Sequence, residues 1–110
     1  MVMTDISFWD RVRDRAYYKH LDRINRNIPD NPYQDWDDAV REQAIDERVR
    51  EEAFLHYLKY GGDAYKNWIT AYHEIMERLS FLAFSLHESD INKSSVENWI
   101  NAQKLYLDRF

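Results

Sequence analysis

Three times along this chain a small polar residue is followed two, five and eight positions later by Tyr or Val, by Trp and by Ala. The copies are Asn31-Pro-Tyr-Gln-Asp-Trp36-Asp-Asp-Ala39, Asp63-Ala-Tyr-Lys-Asn-Trp68-Ile-Thr-Ala71 and Ser94-Ser-Val-Glu-Asn-Trp99-Ile-Asn-Ala102. Steps of three keep side chains along one side of a helix, whereas on a strand they alternate between faces. Asn, Asp and Ser are good helix caps, because their side-chain oxygen accepts an orphan amide of the first turn. Ser94 with Glu97 reads as a capping box, and Asn31 with Gln34 comes close to one. Pro32 falls at the first helical position, where its missing N–H costs nothing. Each copy therefore predicts a helix start, with the Trp as the plug packed against the preceding helix and the Ala leaving room for close approach.

A weaker element precedes each copy: an Ala followed by an aromatic residue, with a His three or four positions after the Ala. It occurs at Ala16-Tyr17 with His20, at Ala53-Phe54 with His56 and at Ala83-Phe84 with His87. The pair of elements describes an αα-hairpin, and the units run over residues 13–42, 50–74 and 80–105. The second helix of one unit is the first helix of the next, so three overlapping units give four helices: Thr4 to Asn27, Pro32 to Tyr60, Ala64 to Glu88 and Ser95 to Arg109. Gly61-Gly62 stops the second helix, and short turns make sequential helices antiparallel. Plotted at 100° per residue, Trp36, Ala39, Val40, Phe54, Tyr57 and Leu58 share one face of the second helix. Trp68, Tyr72, Ile75, Leu79 and Leu86 share one face of the third. The expected fold is all-α, an antiparallel up-down four-helix bundle.

Composition narrows the class without changing it. A chain of 110 residues, 45% hydrophobic and 15% aromatic, fits a single all-helical domain over residues 1–110 and is too apolar for a disordered tail. Two Gly and two Pro leave few turns, which favours few and long elements. The absence of Cys excludes disulfides, thiolate metal sites and a Cys nucleophile. Residues 1–14 carry charges from Asp5 onward and have no long apolar run, so they read as neither a signal peptide nor a membrane span, and a cytoplasmic location is expected. The net charge of −5 is unevenly spread: +2 over residues 1–29, −6 over 30–52 and −1 over 53–110. The opposite signs of the first two segments favour pairing of the first two helices.

The stretch from Arg15-Ala16-Tyr17 to Asp35-Trp36-Asp37-Asp38-Ala39-Val40-Arg41-Glu42 resembles a small bacterial helical domain of unknown function, typified by an A-Y helix end, a turn and a D-W-x-x-A helix start. The other two copies depart from that pattern, with Asn67 and Asn98 in place of the Asp. The resemblance implies a helical repeat and no known chemistry.

Paired Glu-x-x-His motifs, from which di-iron bundles are built, are absent. The nearest patterns are Glu52-x-x-x-His56 and His73-x-x-x-Glu77, with Glu52 and His73 nearly level, but projection puts them opposite the Trp stripe, where solvated i,i+4 pairs are the ordinary outcome. No Gly-flanked Ser and no phosphate-cradling loop is present. No enzyme activity, metal or other cofactor is therefore expected. Arg11, Arg15, Lys19 and Arg26 form a short basic strip with Tyr18 beside it, a candidate nucleic-acid surface set against an acidic chain of pI near 5.3. Ile45 and Val49 lie opposite the Trp stripe, and Phe81 and Phe84 lie off the stripe of the third helix. This second apolar face is the candidate interface for a protein partner or a second copy of the chain. A non-catalytic interaction or assembly module is the expected function, with a nucleic-acid-associated accessory protein as the alternative.

Overall fold

The helix starts are made by the side chains the sequence offers for them. Asn31 Oδ1 accepts from the Gln34 amide at 3.2 Å, Asp63 Oδ1 from the Tyr65 amide at 3.2 Å, and Ser94 Oγ from the Glu97 amide at 3.1 Å. Each bond satisfies a first-turn N–H that has no partner within the helix. The computed structural model describes residues 6–109, which form four helices and no strand: α1 (Ile6–Asn25), α2 (Pro32–Tyr60), α3 (Ala64–Ser89) and α4 (Ser95–Arg109). The expected start of the first helix at Thr4 lies outside the described residues.

The stops are as specific as the starts. Asn27 takes a left-handed φ of 53°, and the Ile28 amide donates to Arg23 O at 2.9 Å, which closes α1 in a Schellman arrangement. Gly61 and Gly62 follow α2 at φ 69° and 92°, and the Gly61 amide donates to Tyr57 O at 2.7 Å. A side chain at such φ meets the carbonyl beside it, so glycine is the residue that leaves α2 at low cost.

The chain divides into two compact units, one ending at Ala44 and the other beginning at Ile45, with α2 continuous through the boundary. In the first unit Phe8, Val12 and Ala39 form the core, with Ala16 and Val40 packed against it. In the second, Ile45, Val49, Ala71, Ile75, Leu79 and Tyr106 form a larger core, joined by Ala53, Met76, Leu82, Trp99 and Leu107, and α3 and α4 pack along one another. Burying each large apolar side chain contributes about 1.5–3 kcal/mol, so the second unit holds most of the hydrophobic stabilisation.

Two expectations are corrected by this packing. Trp36 and Trp68 are 42% and 38% exposed and are not plugs, whereas Ala39, Ala71 and Ala102 are all at 0%. The residue before each Trp lies four positions from the Ala, one helical turn away, and it shares the Ala's inward direction. Asp35 and Asn98 are buried and Asn67 is half-buried, while the indole projects about 100° round the helix. Trp36 instead lies flat on Trp9, with ring centroids 6.0 Å apart and planes within 1°, and Trp68 stacks on Tyr72 at 5.2 Å. The second correction concerns α2. Ile45 and Val49, expected on an interface, are 5% and 1% exposed and belong to the core, while Phe54, Tyr57 and Leu58, expected inside, are exposed. A 29-residue helix serves two cores in succession, so one apolar face from end to end is not required of it.

Candidate functional site

The first unit uses its charges internally. Arg15 Nε donates to Gln43 Oε1 at 2.8 Å and Lys19 Nζ to Glu42 Oε2 at 2.7 Å, while Arg23 Nε donates to the buried Asp35 Oδ1 at 2.8 Å. Arg23 also reaches Pro29 O at 3.2 Å and so ties the α1–α2 loop to both helices. Arg26 pairs with Asp22 at 3.2 Å, and Arg11, exposed on the same helix, also has an interaction partner. The basic strip expected to face nucleic acid therefore opens on a cleft of about 500 Å³ where Arg15, Lys19, Arg23 and Arg26 are matched by Asp22, Asp35, Asp38 and Glu42. A cleft with balanced charges focuses no positive potential, and long-range attraction of phosphates has no source there.

The polar residue before each Trp is the feature that the sequence pattern contained and sequence reasoning left unused. Asp35 holds Arg23, and Asn67 Nδ2 donates to Gly61 O at 3.1 Å, so in both cases this side chain fastens a helix start to the turn or helix before it. Asn98 is buried at the same position with neither amide atom bonded. The signal was the restriction of that position to Asp or Asn, which suits hydrogen bonding to nearby backbone.

Both units expose large apolar groups, Tyr17, Tyr18, Ile24 and Tyr33 in the first, and the second exposes its phenylalanines and leucines. Phe54, Leu55 and Leu58 on α2 and Phe81 and Phe84 on α3 are all more than half exposed, Phe81 at 70% and Phe84 at 61%. Phe81 and Phe84 are three residues apart and lie on the side of α3 away from Ala71, Ile75 and Leu79. An open cleft of about 540 Å³ beside Phe81 and Leu82 is rimmed by Glu74, Glu77, Arg78 and Arg109. A smaller apolar hollow of about 320 Å³ lies between Ala53, Phe54, Tyr57, Ala64 and Asn67 at the turn from α2 to α3. An apolar floor with a charged rim is how protein-binding patches are commonly built. Of the four candidate interface residues, the structure thus leaves Phe81 and Phe84 on the surface and places Ile45 and Val49 in the core.

Glu52 and His56 lie close together on α2, whereas the other pair, His73 and Glu77, does not join them. His56 Nε2 stands 3.1 Å from Glu74 Oε2, and His73 and Glu77 are exposed. Among the described residues no helix is long and apolar enough to cross a membrane. No protein-family model matches the chain, and neither a curated protein nor a solved structure matches it.

Proposed function

We propose that this protein is a non-catalytic protein–protein interaction module, an accessory or assembly subunit whose docking surface is the exposed apolar side of residues 45–110. The observation that carries this reading is the display of Phe54, Leu55, Leu58, Phe81 and Phe84 to solvent by a unit that has a well-buried core of its own. Exposure of single apolar residues is ordinary, but Phe54 and Leu58 are neighbours on α2 and Phe81 and Phe84 are neighbours on α3, and adjoining large apolar groups of this kind are retained where a partner covers them. Aromatic rings such as those of Phe54, Phe81 and Phe84 are enriched at interfaces relative to the rest of the surface.

The chain is a small bacterial helical repeat domain, three αα-hairpins overlapping to form an antiparallel four-helix bundle, and it works in the cytoplasm. Support for the hairpin comes from the first unit, where Arg23, Lys19 and Arg15 meet Asp35, Glu42 and Gln43 in opposite chain order. The threefold recurrence of a fully buried Ala supports the repeat.

Affinity purification of the tagged chain from its host, with and without nuclease, tests the function. The expected outcome is one stoichiometric protein, another chain or a second copy of this one, that survives nuclease. Recovery of nucleic acid, or of proteins lost on nuclease treatment, contradicts the proposal and favours the basic strip on α1.

A further inference from the structure

Glu52 and His56 stand one turn apart on α2, and Glu74 reaches them from α3, so that one ligand atom from each lies within 4.8 Å of the other two. We propose that these three side chains are a binding site for a divalent first-row transition ion of the zinc, cobalt or manganese class, a role outside the interaction function and independent of it. Their sequence spacing alone gave no metal, because the third ligand belongs to a different helix and is not the His73 or Glu77 that its register suggested.

Two carboxylates converge on one imidazole, and only Glu74 bonds it, at 3.1 Å from His56 Nε2. A His–Glu pair needs one carboxylate; a second within 4.8 Å of the pair adds like-charge repulsion, which a cation held by all three relieves. With neutral His56 the trio carries −2, which a divalent ion neutralises.

Geometry agrees with this charge count. Ligand bonds of about 2.0–2.2 Å require tetrahedral donors about 3.4 Å apart, which the observed separations reach by small rotations of the two flexible Glu side chains. His56 is 20% exposed and its ring stacks on Tyr60, with centroids 6.0 Å apart, so the imidazole is the fixed member of the set. One nitrogen and two carboxylate oxygens suit zinc, cobalt or manganese better than the all-oxygen environment preferred by calcium. The open side leaves positions for water, as in sites with three protein ligands.

Among the described residues a second group of side chains that can ligate a metal, His20, Asp30 and Asp35, does not share this character, because Asp35 already accepts from the Arg23 guanidinium. A cation there would face a fixed positive charge.

The test is titration of the full-length chain with Zn2+ by calorimetry and with Co2+ by visible absorption. Binding of one ion per chain is expected, with d–d bands that show inner-sphere ligation and a higher melting temperature in saturating Zn2+. His56→Gln and Glu52→Gln are each expected to weaken binding by at least about tenfold, since even residues that merely orient ligands have effects of that size. His73→Gln is expected to leave it unchanged. Glu52→Gln is isosteric and keeps the comparison valid if His56→Gln fails to fold. Absence of Zn2+ binding by the wild type, or equal binding by wild type and Glu52→Gln, overturns the site.

Discussion

Leu79 and Phe81 are two positions apart on α3 and have opposite fates. Leu79 is at 0% exposure inside the core of the second unit, and Phe81 is at 70%. Leu79→Ala removes buried methyl groups and leaves a cavity, an expected loss of about 2–5 kcal/mol in denaturant unfolding. Phe81→Ala is expected to stay within about 0.5 kcal/mol of wild type, because its ring is already in water. Equal losses would mean that Phe81 is packed after all. Arg23 presents a polar version of the same contrast. Its partner Asp35 has a side chain only 5% exposed, so Arg23→Met strands a carboxylate away from water, and the expected cost is about 3–5 kcal/mol. Joining Asp35→Leu to Arg23→Met is expected to recover most of that loss, since removing both charges removes the stranded one. A double variant as unstable as Arg23→Met alone would show that the pair acts through packing and not charge.

At the scale of elements, boundaries were the most legible feature in the sequence and side-chain direction the least. Asn31, Asp63 and Ser94 cap the helices expected of them, because a cap is a local bond between residues two or three apart. Trp36 and Trp68 misled for an equally physical reason, whereas Trp99 packs half-buried against the second core. Hydrophobicity and a three-residue step suggest a buried stripe, but Asp35 enters the interior on its bond to Arg23, Asn98 is buried without such a bond, and a small Ala lets helices approach more closely than an indole does. The ligand trio was illegible for another reason, since Glu74 meets His56 through the register of α3 on α2, which no local pattern encodes. The turn after α2 yields a clean test. A Cβ at Gly61 or Gly62 meets nothing within 4 Å, so substitution there is opposed by backbone strain alone. Gly61→Val is expected to destabilise by about 1–2 kcal/mol. Gly61→Asn is expected to cost less, because Asn tolerates the left-handed region that Asn27 already occupies at the end of α1. Equal effects of Val and Asn would show that the positive φ is not what holds the glycine there.

For the whole molecule, the contrast between the two units is one of use. The first unit turns the charge gradient of the sequence inward: Arg15, Lys19 and Arg23 meet Gln43, Glu42 and Asp35 and leave little field for an outside ligand. Its cleft is lined by charges of both signs. The second unit completes a core with Ile45, Val49, Ala71, Ile75, Leu79 and Tyr106 and still presents large apolar groups to water. Surplus of that kind was visible in the composition, but its location was not: the sequence placed Ile45 and Val49 in the surplus, and packing against α3 draws them into the core and leaves Phe54, Leu55 and Leu58 in their stead. The measurement that tests this most directly is quantitative affinity purification, after nuclease treatment, of the wild type and the Phe81→Glu/Phe84→Glu variant side by side, with circular dichroism of both and a differently tagged second copy co-expressed. The account predicts equal helicity and a stoichiometric protein, host chain or second copy, that the wild type retains and the variant loses; recovery of the same proteins in the same amounts by both would contradict it.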